Sequence, residues 1–455
     1  MVGDRGSART LHLPPFASEI PKGWYWARLD EVCDGIFDCP HSTPKLTTDG
    51  PSLVRSQDMR SGIFKVHEAA HVSEETYMER VARAVPRHGD LFYSREGTYF
   101  GIAAEVPSNT RLCLGQRMVL IRPSPQVVQF RYLRFWLNSP LLAAYVYGFR
   151  DGTVAERLNL PTIRGLPIAV PPLAEQQMIA RILGTLDDKI ELNRRMNHSL
   201  EEMARAIFKS WFVDFDPVIA KSEGRQPYGM NAETAALFPS AFQDSELGPI
   251  PKGWGVGKVS DICTTQYGYT ASASSEPIGP RFLRITDMNK EPWIDWQNVP
   301  YCAIDTQVLP RYSLQVGDVL VSRMADPGKA AIVDEELNAV FASYLVRLKT
   351  KSLASSHYLF YFLRSEQYLE YANGAMSGSV QSGMNAQVIV GAEMLLPPDS
   401  VVSAYLQAVQ LLRKKIANNL QQSRTLAAIR DALLPKLLSG EIRVKDAADF
   451  QRISG

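Results

Sequence analysis

Two histidines and a glutamate in the stretch HEAAH (67–71) match the HExxH spacing of zinc peptidases. That chemistry needs both histidines on one face of a helix, with the glutamate as general base and a third ligand farther along. The preceding SGIFKV favours a strand or loop, and no Gly or His follows at the extended zincin spacing. A zinc peptidase built on His67, Glu68 and His71 is therefore only an alternative hypothesis, and we expect no metal site.

Motifs for phosphate and nucleotide chemistry are missing from the sequence. The stretch GWGVGKVS (253–260) lacks the spacing of a phosphate-binding loop, and no GxGxxG follows a strand. The Asn/Asp-Pro-Pro-Tyr/Phe tetrapeptide of amino-methyltransferases is absent, and no set of paired acids or Ser/His/Asp recurs. The sequence thus predicts a chain that catalyses no reaction by itself.

Two arginines follow predicted strands beside glycine-containing loops. Arg95 precedes EGTYFG, and Arg323 precedes MADPGK, which contains Lys329. Arginine in this position suits contact with the phosphates or base edges of a nucleic acid. A salt bridge that holds the loop is an equally good interpretation, because ion pairs are common. The net charge is only +1, so a nucleic-acid partner must be argued from local features of this kind.

The elements that position these arginines occur twice. IPKGWYWARLDEVC (20–33) aligns with IPKGWGVGKVSDIC (250–263), and GDLFYSR (89–95) aligns with GDVLVSR (317–323). The residue offset drifts only from 230 to 226 along the repeat, always in one direction. Such ordered self-similarity indicates a tandem duplication.

Each copy begins with a part of mixed secondary structure. DLFYS, RMVLIRP, DVLVSR and YLVRLK predict strands, and residues 129–148 and 355–374 predict helices that end at glycine. This mixture predicts α+β globular domains over residues 20–170 and 250–396.

A long amphipathic helix is predicted after each globular part, within 171–216 and 397–440. Apolar residues recur there at helical steps and form heptad-like seams. Pro435 is expected to end or kink the second helix. Neither seam is stable alone in water, so we expect an antiparallel, coiled-coil-like pair with pseudo-two-fold symmetry that separates the two domains.

Asn193 and Asn419 occupy equivalent positions near the middle of these two helices. A buried asparagine pair at that point would fix the register of the helices at a cost in stability. Two solvated asparagines are the alternative.

The remaining segments are a predicted N-terminal tail (1–19), a Pro/Gly/Ser-rich linker (217–249) and a C-terminal tail (441–455). The sequence has no signal-peptide core and no run of about 18 apolar residues, which predicts a cytoplasmic protein.

The chain resembles the specificity (S) subunits of type I restriction–modification systems, HsdS, over about residues 20–444. The most specific stretches are PLAEQQMIARILGTLDDKIELNRRMNHSLEEMARAIFKSWFVDFDPV (172–218), LFPSAFQDSELGPIPKGW (237–254) and IRDALLPKLLSGEI (429–442). One departure is that the second proline motif reads LPPDSVV, whereas the first has the usual PPLAEQQ.

This resemblance implies a DNA-binding subunit without catalytic residues. Each globular part would be a target recognition domain that reads one half of a bipartite, asymmetric site in double-stranded DNA. The helices would set the half-site spacing and hold two modification subunits, which use S-adenosylmethionine to methylate adenine. Restriction subunits, which use ATP and Mg, would complete the nuclease. No cofactor would be bound by this chain itself. An adaptor that binds only protein through its helices is the alternative.

Residues that read different bases must differ between the two copies, whereas shared positions serve the fold or phosphate contacts. This reasoning selects the loop pairs 38–45 and 266–274, 95–101 and 323–329, and 152–157 and 378–383. The candidate DNA-binding residues are His41, Thr43, Lys45, Arg95, Tyr99 and Arg157 in the first domain, and Tyr267, Tyr269, Arg323, Lys329 and Gln381 in the second.

Overall fold

The computed structural model describes residues 20–59, 62–64, 66, 69–97, 100–148, 158–288, 291–324, 328–377 and 383–444. The chain divides into two compact units. Unit 1 is Met1–Lys189 with Leu426–Gly455, and unit 2 is Ile190–Thr425. Both divisions fall inside a long helix, so each unit combines one globular part with segments of both long helices. The domain boundaries drawn from the sequence stay a prediction.

Unit 1 contains nine described strands. They are β1 (Tyr25–Arg28), β2 (Cys33–Asp38), β3 (Thr47–Val54), β4 (Ala70–His71), β5 (Leu91–Ser94), β6 (Ala103–Glu105), β7 (Leu112–Leu114), β8 (Met118–Pro123) and β9 (Pro167–Val170). Its helices are α1 (Glu74–Val81), α2 (Phe130–Leu137), α3 (Pro140–Tyr147), α4 (Leu160–Arg164) and the first part of α5 (Leu173–Phe212).

Unit 2 begins within α5 and ends within the last helix. Its described strands are β10 (Phe242–Gln243), β11 (Ile250–Pro251), β12 (Gly255–Lys258), β13 (Cys263–Tyr267), β14 (Arg281–Leu283), β15 (Val319–Ser322), β16 (Ala330–Ile332), β17 (Ala339–Phe341), β18 (Leu345–Thr350) and β19 (Glu393–Leu396). Its helices are α6 (Asp216–Ser222), α7 (Ala232–Ala236), α8 (Val259–Ile262), α9 (Ile285–Met288), α10 (Leu309–Tyr312), α11 (Leu353–Phe362), α12 (Glu366–Ser377), α13 (Ala386–Val390) and α14 (Asp399–Ser439).

The two units repeat the same sheets. A four-stranded antiparallel sheet has the order β2-β8-β5-β6 in unit 1 and β13-β18-β15-β16 in unit 2. The parallel pair β3·β7 corresponds to β14·β17, and the antiparallel pair β1·β9 corresponds to β12·β19. The structure therefore confirms the α+β class, the four quoted strands, the duplication and the two long helices.

The repeated IPKGW pentapeptide forms the same turn in both units. The Trp24 amide donates to the Pro21 carbonyl, and the Trp254 amide donates to the Pro251 carbonyl, both at 3.0 Å. Gly23 and Gly253 have φ values of 92° and 85°, which only glycine adopts without strain. The turn directs each tryptophan into a hydrophobic core.

Three predictions about segments need correction or refinement. The helices predicted over 129–148 and 355–374 are each two shorter helices, because Ser139 caps a new helix that has proline at its first position, and α11 ends at Phe362. Pro435 does not end α14, which continues to Ser439 while Leu437 and Leu438 are buried in the core of unit 1. The predicted linker contains α6 and α7.

Within each unit the long helices run antiparallel. In unit 2, Arg413 of α14 contacts Glu201 of α5, and Asn419 contacts Asn197. Residue numbers therefore increase along one helix as they decrease along the other. In unit 1 the same order places Asp187 of α5 beside Arg430 of α14.

The two asparagines singled out in the sequence are buried in unit 2. The Asn193 side-chain amide donates to the side-chain oxygen of Gln422 at 2.9 Å and approaches the backbone carbonyl of Asn419 at 3.4 Å. The Asn419 amide donates to the side-chain oxygen of Asn197 at 2.8 Å. Both asparagines thus bond across the helix pair, but their side chains do not pair with each other. Their role in fixing the register stays a prediction.

A charged side chain lies at one repeated helix position, with opposite sign in the two units; it is half-buried in unit 1 and buried in unit 2. Asp187 in unit 1 accepts from Arg134 of α2 at 2.8 Å and from Arg430 of α14 at 2.9 Å. Its equivalent 226 residues later is Arg413, which is 3% exposed and donates to Glu201 at 2.7 Å.

Arg413 has two further partners in unit 2. It forms an ion pair with Asp334, and its guanidinium lies 5.3 Å from the centre of the Phe360 ring. Burial alone would lower the pKa of Arg413, but Asp334 and Glu201 raise it above its ordinary value.

We expect Asn419→Ala to lower the free energy of unfolding by about 1–3 kcal/mol, because the Asn197 side-chain oxygen would stay buried without its donor. Asn418→Ala is the matched control, since Asn418 is exposed one residue earlier on the same helix. Denaturant unfolding of both variants measures the difference. Equal losses in the two variants would contradict this role for Asn419.

We expect Arg413→Met to lower the free energy of unfolding by about 3–5 kcal/mol, because two carboxylates would lose their buried cation. Exposed Lys414→Met should change it by no more than about 0.5 kcal/mol. Denaturant unfolding provides the measurement. A loss in Arg413→Met as small as that of the control would refute the buried cluster as a stabilising contact.

Candidate nucleic-acid interface

Two of the candidate loops of unit 1 leave one edge of the four-stranded sheet. Strands β2 and β5 both pair antiparallel with β8, so they are parallel to each other and end at the same side. Asp38 pairs with Val119 and Ser94 pairs with Met118, at the start of β8. The loops 38–45 and 95–101 therefore begin side by side. We call this side of the sheet the loop edge.

Unit 2 has the same loop edge. Tyr267 at the end of β13 pairs with Val346, and Ser322 at the end of β15 pairs with Leu345. The loops that begin at residues 268 and 323 therefore start beside each other, where β18 begins.

The residues that follow the third candidate loop lie at the same edge in each unit. The Leu158 amide donates to the Arg95 carbonyl, and the Met384 amide donates to the Arg323 carbonyl, both at 2.8 Å. Residues 152–157 and 378–382 of the third loops lie outside the described residues. Tyr99, Arg157 and Gln381 lie outside the described residues.

Arg95 is buried and held by a carboxylate. It is 4% exposed, and its Nη1 lies 2.7 Å from Asp38 Oδ1 at the end of β2. The other carboxylate oxygen of Asp38 lies 3.3 Å from His41 Nε2. This geometry favours the alternative interpretation of Arg95 as a residue that holds the loop, and its contact with DNA stays a prediction.

Arg323 takes the equivalent place in unit 2 with a different partner. Its guanidinium lies 5.0 Å from the centre of the Tyr267 ring, a cation–π contact. The Tyr267 hydroxyl accepts a hydrogen bond from the Ala386 amide at 2.9 Å. Tyr267 occupies the position of Asp38, 229 residues later. One backbone arrangement therefore holds its arginine with a carboxylate in unit 1 and with an aromatic ring in unit 2.

The other candidates differ in exposure. His41, Thr43 and Lys45 are exposed on the first loop of unit 1, and Tyr267 is 43% exposed in unit 2. Tyr269 is half-buried, with its ring centre 5.2 Å from that of Tyr312.

Lys329 is half-buried and lines a cavity of about 340 Å³ in unit 2. Arg205, Glu291 and Arg364 line the same cavity. Burial lowers the pKa of Arg364.

Two residues that organise the loop edge of unit 1 were not predicted from the sequence. Asp38 was inside a selected loop but was not chosen, although its repeat partner is a tyrosine. Arg80 of α1 is 5% exposed and donates to the Leu114 carbonyl at 2.6 Å and to the Ser42 carbonyl. It thereby ties the first loop to the end of β7. Its carbonyl partners lie 34 and 38 residues away in the sequence, and no local pattern marks them.

Positions shared by both copies make the same local contacts. Arg55 donates through Nε and Nη2 to both carboxylate oxygens of Asp58, at 2.8 and 3.0 Å. Arg284 donates in the same way to Asp287, at 3.0 and 3.0 Å. Such bidentate pairs fix the backbone after β3 and β14, so these repeated residues serve the fold.

The shared aspartates before β5 and β15 also serve the fold. Asp90 is 2% exposed and accepts two hydrogen bonds from Arg122, at 2.9 and 2.7 Å. Asp318 accepts from Arg347 at 3.2 Å.

The second histidine of HEAAH, His71, lies in a strand and not in the helix that a zinc peptidase needs. Ala70 and His71 form β4, and His71 Nδ1 lies 2.8 Å from the Gly50 carbonyl oxygen. His67 and Glu68 lie outside the described residues. Among the residues that the structure describes, no group of three or more His, Cys, Asp or Glu could hold a metal ion.

In the described part of the chain, no helix has both the length and the apolar character required to cross a lipid bilayer.

Comparisons with known proteins agree with this architecture. Residues 47–202 match the family model for the type I restriction modification DNA specificity domain. The MjaIX specificity subunit of Methanocaldococcus jannaschii, a type I restriction enzyme subunit, is 27% identical over 94% of this chain and 95% of that protein. The corresponding HindI subunit of Haemophilus influenzae is 24% identical over 79% of this chain and 88% of that protein.

A solved structure shares the fold. The type I restriction-modification S subunit from M. genitalium superposes with a TM-score of 0.50 at 13% sequence identity, covering 93% of this chain and 98% of that one. The resemblance predicted from the sequence is confirmed: residues 47–202 match the type I restriction modification DNA specificity domain, and the chain is similar to type I specificity subunits along most of its length.

Proposed function

We propose that this chain reads a bipartite, asymmetric site in double-stranded DNA as the specificity subunit of a type I restriction–modification complex. Each globular part reads one half-site through the loops at its loop edge. Because the two readers share one chain, their loops can differ while their backbones stay alike. The recognised sequence therefore need not be a palindrome.

The observation that carries this proposal is the pair Arg95 and Arg323. Their backbones make equivalent hydrogen bonds, but Asp38 holds one side chain and Tyr267 holds the other. A purely structural duplication has no need to vary the chemistry at one loop edge while it keeps the Arg55–Asp58 and Arg284–Asp287 pairs unchanged. Different side chains on loops of one repeated backbone are typical of modules that recognise different base sequences on a common scaffold.

The long helices support a second part of the proposal, the docking of two modification subunits. Large apolar side chains are exposed on both helices: Leu192, Met203, Leu411 and Ile429 are 50%, 53%, 74% and 44% exposed. We propose that these side chains contribute to the surface that the modification subunits cover. In this arrangement the helix length sets the distance between half-sites.

The chain itself is proposed to catalyse no reaction and to bind no cofactor. S-adenosylmethionine would be used by the modification subunits, and ATP and Mg by the restriction subunits that complete the complex. The complex would act in the cytoplasm, where it meets DNA.

Mapping of methylated adenines tests the proposal. DNA modified by this chain together with its modification subunits should carry one bipartite motif, and that motif should be lost when this chain is omitted. Methylation that persists unchanged without the chain would reject DNA recognition and favour an adaptor that binds protein only.

We expect Lys45→Ala to weaken DNA binding by a similar factor for all sequences, because an exposed lysine on the loop edge provides a point charge for phosphate. The slope of log K against log salt should become shallower by about one. Exposed Lys22→Ala is the control and should leave the slope unchanged. Titration of the complex with labelled duplex at several salt concentrations measures both quantities. An unchanged slope for Lys45→Ala would remove this lysine from the interface.

A further inference from the structure

A short turn lies at the centre of each loop edge and was not selected from the sequence. It joins β7 to β8 at residues 115–117 in unit 1, and β17 to β18 at residues 342–344 in unit 2. The sheets place this turn between the first and second loops, since the strands that those loops follow both pair with β8 or β18.

The turn is bonded to the second loop in the same way in both units. The Arg95 amide donates to the Arg117 carbonyl, and the Arg323 amide donates to the Tyr344 carbonyl, both at 3.0 Å. Arg117 and Tyr344 are therefore structurally equivalent, 227 residues apart.

The turn is bonded to the first loop through a second carbonyl, but with different donors. In unit 1 the buried Arg80 donates to the Leu114 carbonyl, the last of β7, and also to Ser42. In unit 2 the Tyr269 amide donates to the Phe341 carbonyl, the last of β17, at 2.8 Å. The backbone of the turn is thus held on both sides.

The turn also packs closely on the strand beneath it. The Gly115 amide donates to the Val54 carbonyl at 2.8 Å, and a Cβ added at Gly115 would lie 2.7 Å from that oxygen. A side chain at residue 115 would therefore require the turn or the strand to shift. A turn fixed in this way can present the side chain of its last residue in a defined direction, which base recognition requires.

The side chains at this position are exposed and chemically different. The Arg117 side chain is 51% exposed, and its Nε forms an ion pair with Glu96 Oε1 at 3.5 Å. Tyr344 is 58% exposed. A residue that serves only the fold would be buried or shared between the copies, as the Asp90 and Asp318 pair is.

From these observations we infer that Arg117 and Tyr344 are specificity-determining residues, each reading a base edge in the half-site of its own unit. Arginine donates two parallel hydrogen bonds to the O6 and N7 acceptors of guanine in the major groove. Tyrosine offers a hydroxyl and an apolar ring, and it reads a different base without charge. This inference rests on the proposed function and adds residues that the sequence argument did not contain.

The test maps methylated adenines with the full chain in complex with its modification subunits. Arg117→Ala should make one position of one half-site degenerate, with discrimination at that position reduced about 5- to 150-fold. Tyr344→Ala should alter the other half-site and leave the first unchanged. Arg117→Lys should relax the same position as Arg117→Ala, because a lysine cannot form the bidentate contact.

Two exposed residues provide matched controls. Arg87 has a 65% exposed side chain and precedes β5, at the opposite end of that strand from the loop edge. Tyr228 is fully exposed between α6 and α7. Arg87→Ala and Tyr228→Ala should leave the motif unchanged.

The outcomes separate this inference from the proposed function. If the unaltered chain directs no bipartite motif, the proposed function fails. If the unaltered chain directs such a motif and all Arg117 and Tyr344 variants keep it, only the inference fails. If Arg117→Ala weakens binding to every sequence equally with an unchanged motif, Arg117 contacts phosphate, and base reading by it is refuted.

Discussion

The charge cluster at helix position 187/413, half-buried at Asp187 and buried at Arg413, is the interaction on which each unit depends. A charge removed from water must be compensated by partners, or its desolvation destabilises the fold. Asp187 obtains its partners from α2 and α14, and Arg413 obtains its partners from α5 and the segment between β16 and β17. In each unit, a globular part and both long helices therefore meet at one charge cluster. Apolar contacts between helices are not directional, so the seams alone do not determine which residues pair. The charge clusters do, because each charged side chain requires a particular partner.

The opposite signs of the two clusters show how the copies have diverged. The position of Arg134 in unit 1 is taken by Phe360 in unit 2, so an ion pair with Asp187 is replaced by a cation–π contact with Arg413. The same type of exchange occurs at the loop edge, where Asp38 is replaced by Tyr267. In both places the backbone geometry is kept while the side-chain chemistry changes. Duplicated scaffolds can therefore carry different surfaces without a change of fold.

The sequence predicted more of the scaffold than of the site. Short apolar runs were sufficient to predict β5, β8, β15 and β18, and helical periodicity was sufficient for the two long helices, because these elements bury apolar side chains along their length. The breaks at Asn138–Ser139 and after Phe362 were missed, although the polar stretches NSP (138–140) and RSEQ (364–367) interrupt the apolar pattern there. Pro435 does not end α14, which continues to Ser439 with Leu437 and Leu438 buried in the core of unit 1, whereas a kink at Pro435 stays a prediction.

By itself, the sequence determined the duplication, the order of its parts and the loops that differ between the copies. These properties depend only on residue identity and spacing, so an alignment of the two copies reveals them directly. The tertiary structure alone decided that Arg95 is buried against Asp38, that Arg80 ties two loops together, and that a three-residue turn occupies the centre of each loop edge. Those contacts join residues that are distant in the chain, and their partners are often backbone carbonyls. Every residue has a backbone carbonyl, so the sequence does not indicate which carbonyl will accept a hydrogen bond from a given side chain.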